Sequence, residues 1–268
     1  MKKNKTFFKR MSMILLIIAI SFISIIDIYI HEEIHTSASV SNKKIEWGIK
    51  RNDNHEQPDV GSENRKVLEE NNGITLGNSE SRAIYLTFDE GYEAGYTSQI
   101  LKTLKENDVK ATFFLTAHYV NTQEELVRQM IDEGHIIGNH TVNHKSMPSL
   151  TEEEIKKEVM DLHQSVYEKF GYEMKYIRPP KGEFSEKTVQ VINSLGYKTV
   201  MWSFAYEDWN EQKQPNEEKA KEKILNNLHN GEIMLLHGNS KTNTNILDSI
   251  IKEAKNMGYE FKSLDEFE

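Results

Sequence analysis

AIYLTFDEGYE, residues 83–93, starts as an apolar, β-branched run and stops abruptly at two adjacent acids, Asp89 and Glu90, with Gly91 behind them. In a strand, successive side chains point to opposite faces. A carboxylate taken out of water is costly unless a cation, a metal or hydrogen-bond donors meet it. Two acids at the tip of an apolar strand must therefore be holding something.

Reading outward, short apolar runs recur at 111–115, 135–138, 175–177, 197–202, 232–236 and 259–261. Helical segments fall between them at about 96–107, 122–133, 151–170, 185–195, 216–230 and 243–257. Thr151 with Glu154 forms a capping box that opens the third of these helices. Ile233-Met-Leu-Leu-His237 is apolar without alternation, as in a strand covered on both faces. Strand and helix in strict turn specify a parallel sheet. Seven repeats point to an α/β fold, a distorted parallel (β/α) barrel of about seven strands, more than to an open sheet. In such a barrel the chemistry sits at the carboxyl ends of the strands. Asp89 and Glu90 follow the first strand, His140 and His144 the third, Arg178 the fourth, Asp208 the fifth and His237 the sixth. Unrelated surface residues would not gather at one end.

Composition narrows the function classes. With 268 residues the chain has room for one large domain and a tail. Net charge is −9, although Lys2, Lys3, Lys5, Lys9 and Arg10 crowd the first ten residues, so the remainder is more acidic still. Such a body repels phosphate backbones, which argues against nucleic acid as a partner. Cysteine is absent, which removes disulfides, thiol nucleophiles and cysteine-ligated zinc. Any metal must rest on histidines and carboxylates. The sequence contains no GxSxG elbow, P-loop or GxGxxG fingerprint.

After the basic MKKNKTFFKR comes Met11 to Ile30, apolar apart from serines and Asp27. This reads as a transmembrane anchor or signal peptide with its basic end in the cytoplasm, the anchor being preferred. A small-residue site at Ser37-Ala38-Ser39 lies far from the apolar core. The rest of the chain is then exported, tethered to the outer face of the membrane or secreted to the wall. Residues 31–82 are polar without a sustained period, a solvated spacer in which Trp47 and Ile74-Thr75-Leu76 mark the part that docks on the barrel. The expected division is 1–30 anchor or signal, 31–82 spacer and 83–268 catalytic domain.

GNHTVNH, 138–144, sets His140 and His144 four apart, so that in a helical turn both imidazoles share a face. Such a pair with one carboxylate is a zinc arrangement that leaves a position open for water. Alone the spacing is weak, and two surface histidines explain it better; beside a strand-end acid pair the balance reverses. His135 reads as core, whereas His31, His35, His55, His163 and His229 read as solvated, and His118 as lining a groove or capping a loop. YIRPPKGEF, 176–184, puts Arg178 at a strand end before a rigid Pro-Pro pair. It caps the rim or holds a carboxylate ionised and aimed. An Asp208 near His237 would set its tautomer and raise its pKa, which suits a general acid. Trp202, Tyr206 and Trp209 are either core or surfaces on which a sugar ring stacks.

TFDEG, HTVNH, RPPKG, the Asp208-Trp209 of AYEDW and LLHG stand in an order and spacing that resembles the NodB-type polysaccharide deacetylases, carbohydrate esterase family 4, from about Trp47 to the end. YLTFDEGYEAGYT, EGHIIGNH and GYEFKSLDEF are more similar to the delta-lactam-biosynthetic de-N-acetylases, which act on N-acetylmuramic acid of peptidoglycan, notably in spore cortex. The resemblance implies Asp89 as catalytic base, Arg178 orienting it, and His237 as general acid tuned by Asp208. It also implies His140, His144 and Glu90 at the metal positions, with zinc the first choice of divalent ion. Trp209 would line the site, and the backbone N–H near Lys181 would help hold the oxyanion; from the reading of the aromatics above, Tyr206 is expected to line it too. Peptidoglycan strands are the implied partner, with the membrane reached through the N-terminal segment and no protein partner implied. Two departures stand out. The family's second acid is usually Asp, or Asn in the lactam-type relatives, and here it is Glu90. The first Asp of its DxxDW is replaced by Ala205, leaving Asp208 to tune alone. The rival readings are an N-acetylglucosamine deacetylase of peptidoglycan or chitin-like oligomers, an O-acetyl xylan esterase, and an inactive wall-binding module.

Overall fold

The computed structural model of the protein describes residues 40–267. The expected anchor or signal segment, 1–30, lies outside the described residues. Among those described, no helix is long and apolar enough to cross a membrane.

The strands, in chain order, are β1 (Ile45–Glu46), β2 (Ala83–Glu90), β3 (Thr112–Leu115), β4 (Ile136–Asn139), β5 (Tyr176–Ile177), β6 (Glu183–Phe184), β7 (Lys198–Thr199), β8 (Glu232–His237) and β9 (Glu260–Phe261). Seven of them form one sheet in the order β7-β5-β4-β3-β2-β8, with β9 also pairing β2, and every pairing is parallel. The sheet curves into a half-barrel. Between β7 and β8 the seam is held by the isolated bridge Phe204–Met234. The apolar run expected at 197–202 keeps strand pairing only over Lys198–Thr199, because the chain then leaves β5 for β8: the N–H groups of Ser203 and Phe204 both donate to the Ile233 carbonyl.

The helices, all but the first covering the sheet, are α1 (Ser62–Glu69), α2 (Thr97–Glu106), α3 (Ala117–Thr122), α4 (Glu124–Asp132), α5 (Glu152–Phe170), α6 (Glu186–Ser194), α7 (Glu217–Asn226) and α8 (Lys241–Asn256). The capping box of Thr151 and Glu154 opens α5, and Gly171 closes it in the left-handed conformation at φ 66°.

β2 shows how the fold sorts side chains. Ile84, Leu86 and Phe88 belong to the large cluster under the helices, whereas Ala83 and Tyr85 belong to the inner cluster with Phe114, Ile136, Tyr176 and Ile233. Both faces are thus apolar, and each fully buried Ile, Leu or Phe contributes about 1.5–3 kcal/mol. Continuing the alternation puts Asp89 on the inner face and Glu90 on the helix face.

Residues 42–82 are packed more closely than a solvated spacer. Trp47, Val60, Leu68 and Leu76 are buried with Phe184, Val189 and Met201, and β1 pairs antiparallel with β6. The Trp47 indole N–H donates to the Trp202 carbonyl at 2.8 Å and its backbone N–H to Gly182 at 2.8 Å. A few apolar residues spaced along a polar chain suffice because each finds its own slot in the barrel wall.

Candidate active site

Asp89 ends β2 on the inner face beside Arg178, which is 0% exposed. Arg178 Nη1 donates to Asp89 Oδ1 at 2.8 Å and to Thr87 Oγ1 at 2.9 Å, while Nε donates to the Val200 carbonyl at 3.1 Å. The guanidinium lies over the Phe114 ring, 4.3 Å from its centroid. Burial alone would raise the Asp89 pKa. Arg178, His140 and His237 together outweigh it and hold the carboxyl below its ordinary value.

The HTVNH segment is a loop, not the helical turn expected from its spacing. Thr141 and His144 take left-handed conformations, φ 68° and 54°, and still bring the two imidazoles to a centroid distance of 4.9 Å. The loop is held by Glu158, buried on α5, whose carboxylate accepts from the Asn143 backbone N–H at 2.8 Å and from Asn143 Nδ2 at 2.7 Å. Sequence reasoning missed Glu158. Its signal was an acid on the apolar stripe of α5 beside Ile155, Val159 and Leu162.

His140 and Asp89 make the test for a metal. His140 Nδ1 sits 2.8 Å from the Arg178 carbonyl, an acceptor, so Nδ1 carries the proton and Nε2 is a bare lone pair. Burial lowers the His140 pKa to about 4 despite Asp89, which keeps the ring neutral. That lone pair faces Asp89 Oδ2 at 3.6 Å, too long for a hydrogen bond. A lone pair left facing a carboxylate with no donor between them is what a bound cation would satisfy, and His140 Nε2 would be one of its ligands. His144, its pKa also lowered chiefly by burial, stands beside them. Among the described residues no group of three or more His, Cys, Asp or Glu is arranged as a complete metal site. The imidazole pair fits a divalent ion; the third expected ligand does not join it.

Glu90 is that third residue, and the structure corrects its placement. Strand alternation turns its carboxylate away from the histidines, toward Thr97 Oγ1 at 3.5 Å and the backbone of Gly238. A Cβ at Gly238 would lie 1.7 Å from Glu90 Oε1, so the glycine of LLHG is required by close approach. Glu90 Oε2 is buried without a hydrogen bond among the described residues. Burial, then the Glu93 and Asp89 carboxylates, push its pKa well above the usual carboxylate range. Glu90→Gln is expected to leave zinc affinity unchanged by isothermal titration. His140→Ala and His144→Ala should each weaken it by about 10- to 100-fold or more, since even outer partners of a ligand cost that much. Equal losses for Glu90→Gln and His140→Ala would return Glu90 to the ligands.

On the other side of the cavity, His237 ends β8. Its Nδ1 lies 2.8 Å from Asp208 Oδ1, and its backbone N–H donates to Oδ2 at 2.9 Å. Asn243 Nδ2 donates to the same Oδ2 at 2.6 Å. Burial lowers the His237 pKa, but Asp208 and then Asp89 raise it further, leaving it above the ordinary value. Asn243 was also missed, since one Asn near a helix start carries no chemical signal in sequence. Tyr206, expected to line the site, instead lies buried behind Asp208, its hydroxyl bonded to Asn243 Oδ1. Hydrophobic burial of its ring in the wall left only the hydroxyl to find a partner.

These groups surround a cavity of about 870 Å³ lined by Asp89, His140, His144, Lys181, Trp209 and His237 among others. Lys181, at φ 62°, and Trp209, 51% exposed, reach it as expected, and exposed His118 lies at its rim. His55 is exposed, with Nδ1 2.7 Å from the Leu228 carbonyl. His135 is buried, and His163 is half-buried against the Tyr197 hydroxyl. His229, expected in solvent, is buried at the opposite end of β8, with Nε2 2.8 Å from Ser203 Oγ. His31 and His35 lie outside the described residues.

Known proteins share the fold that carries these groups. Residues 76–200 match the family model described as polysaccharide deacetylase. The chain is 42% identical to the peptidoglycan-N-acetylmuramic acid deacetylase PdaA of Bacillus subtilis over 85% of this chain and 87% of that protein. It is 34% identical to a peptidoglycan-N-acetylglucosamine deacetylase of Bacillus cereus over 75% of this chain and 96% of that one. The solved structure of Bacillus subtilis PdaA, a family 4 carbohydrate esterase, superposes with a TM-score of 0.83 at 41% identity, covering 85% of this chain and 98% of that chain. The strand-end acid, imidazole pair, buried arginine and Asp-backed histidine are thus set in a fold shared almost end to end with such an enzyme, and the chain belongs to the polysaccharide deacetylases of carbohydrate esterase family 4.

Proposed function

We propose that the protein is a metal-dependent peptidoglycan deacetylase that removes the acetyl group of N-acetylmuramic acid, freeing an amine that can close onto its own lactyl carboxyl as a muramic delta-lactam of the spore-cortex type. The observation that carries the reaction is the opposition of Asp89, paired with Arg178, to His237, whose pKa Asp208 raises, across one cavity. His140 and His144 would hold a divalent ion, zinc by donor type, which when bound polarises the acetamide carbonyl and acidifies water. Asp89 takes the proton of the attacking water. The backbone near Lys181 faces the developing oxyanion. His237, its Nδ1 committed to Asp208, presents Nε2 to protonate the leaving amine. Trp209 offers a sugar platform at the mouth. Similarity to PdaA favours muramic acid as substrate; the Bacillus cereus relative is the specific reason to keep N-acetylglucosamine as the second reading. Residues 1–30 would anchor the enzyme, placing residues 83–268 outside the membrane against the wall.

Digesting peptidoglycan with and without its stem peptides, then measuring acetate and muramic lactam by mass spectrometry, tests this reading. Muramic acid should lose acetyl groups, preferentially in the stem-free sample. Preferential deacetylation of glucosamine would overturn the substrate assignment.

The pH profile tests the acid. Activity needs Asp89 ionised and His237 protonated, so it should fall above the raised His237 pKa. Asp208→Asn removes the charge that raises that pKa, so the alkaline limb should move to lower pH, with turnover at neutral pH reduced about 10-fold or more. An alkaline limb that stays put would separate His237 from the proton transfer.

A further inference from the structure

A second cavity of about 390 Å³ adjoins the first, and Tyr92 and Asn239 line both. Beyond those two it is lined chiefly by Tyr96, Glu211, Gln214 and Lys241. The reaction described above uses none of these residues.

Its construction is specific. Asn239, only 9% exposed, donates through Nδ2 to the Tyr92 hydroxyl at 2.9 Å and to the Trp209 carbonyl at 3.0 Å. One buried amide therefore ties together Tyr92, 46% exposed, and Trp209, two of the few large apolar side chains that face solvent. Its Oδ1 is buried with no hydrogen-bond partner among the described residues. Gln214 fixes the floor: Nε2 donates to the carbonyls of Asp208 and Asn210 at 3.0 Å each, and Oε1 accepts from Ser240 Oγ at 2.9 Å and from the Thr242 N–H at 3.1 Å. The loop that carries Asp208 and Trp209 is thereby pinned to the start of α8.

The charges are unevenly committed. Glu93 accepts from the N–H groups of Gly95 and Tyr96 at 2.5 and 2.7 Å and from the Tyr119 hydroxyl at 2.9 Å. Glu211 is exposed, and after burial it is what raises the Tyr92 pKa. The Lys241 side chain is exposed, with no ion pair or hydrogen bond among the described residues. It is the first residue of a 16-residue helix, whose amino end adds partial positive charge. Glu93 and Glu211 are the cavity's anions, and Lys241 is its one cation among the described residues, lining it together with Tyr92 and Tyr96.

We infer that the cavity is a second glycan subsite. It takes the part of the strand adjoining the sugar under attack, with Tyr92 as a platform and Lys241 binding a carboxylate carried on that strand. This rests on the peptidoglycan reading proposed above. The carboxylate has two sources, the lactyl group of a stem-free muramic acid or the free carboxylates of a retained stem peptide.

The test uses stem-free and stem-bearing glycan strands as separate ligands, titrated into zinc-loaded Asp89→Asn protein with and without Lys241→Met. Adding Lys241→Met should weaken binding about five- to tenfold for the strand type that supplies the carboxylate, and Lys241→Arg should restore most of it. Loss on stem-free strands identifies the lactyl group; loss on stem-bearing strands alone identifies the peptide. In the active protein the same factor should appear in KM, with kcat unchanged. Unaltered affinity for both strand types, or a loss that falls on kcat, overturns the subsite. Retained binding without acetate release from the wild type would overturn the reaction and leave the subsite standing.

Discussion

Replacing Asp89 by Asn is expected to leave the fold intact and reduce acetate release by about 10²–10⁴-fold, the contribution of a positioned base. Asn keeps the shape and still offers Arg178 an oxygen to bond, so the 2.8 Å contact has a neutral successor. It cannot take a proton from water. No other carboxylate can substitute: Glu90 faces the helices, and Asp208 is occupied by His237 and Asn243. Acetate release from a defined glycan, measured beside a circular dichroism melt, checks both halves of the expectation. Near-normal turnover in a folded Asp89→Asn protein would remove Asp89 from the mechanism.

Arg178→Met should be the most destabilising single change at the site. Arg178 is fully buried, and removing it leaves the Asp89 carboxylate buried without its cation, a situation that costs about 3–5 kcal/mol. The sign follows from the Asp89 pKa, which is lower in the folded protein than its ordinary 3.8. The pair therefore stabilises the fold above about pH 4, and that stabilisation fades as pH falls through the depressed pKa. Without Arg178, burial raises the Asp89 pKa instead, so the acid limb of activity should move to higher pH. Denaturant midpoints at neutral pH, together with the pH–rate profile, read both effects. A loss below about 1 kcal/mol, the scale of an exposed ion pair, would show that the pair is solvated and unimportant.

Much of this was legible in the chain itself because the signals were local. Seven apolar runs alternating with amphipathic segments can only be satisfied by a parallel sheet clad in helices, and each run appears as a strand. Polar residues stranded at the carboxyl ends of those runs had to meet at one end of the sheet, and Asp89, His140, His144, Arg178 and His237 do meet there. What was not legible depended on direction. Glu90 follows Asp89 in sequence, yet the two-residue period of a strand sends its carboxylate to the opposite face. HTVNH has helical spacing, but Glu158, from a helix beyond it, holds the segment as a loop.

By itself, then, the sequence determined the layered α/β architecture, the end of the sheet that carries chemistry, and the residue types available to it. Periodicity and the cost of stranded charge are properties of the chain. Tertiary structure alone decided which acid faces the histidines, that Tyr206 is wall rather than platform, that Asn243 and Glu158 hold the working groups in place, and that Lys241 stands uncommitted beside Tyr92. The physical reason is that a hydrogen bond or ion pair acts over about 3 Å, and which partners come that close is set by packing among elements far apart in the chain.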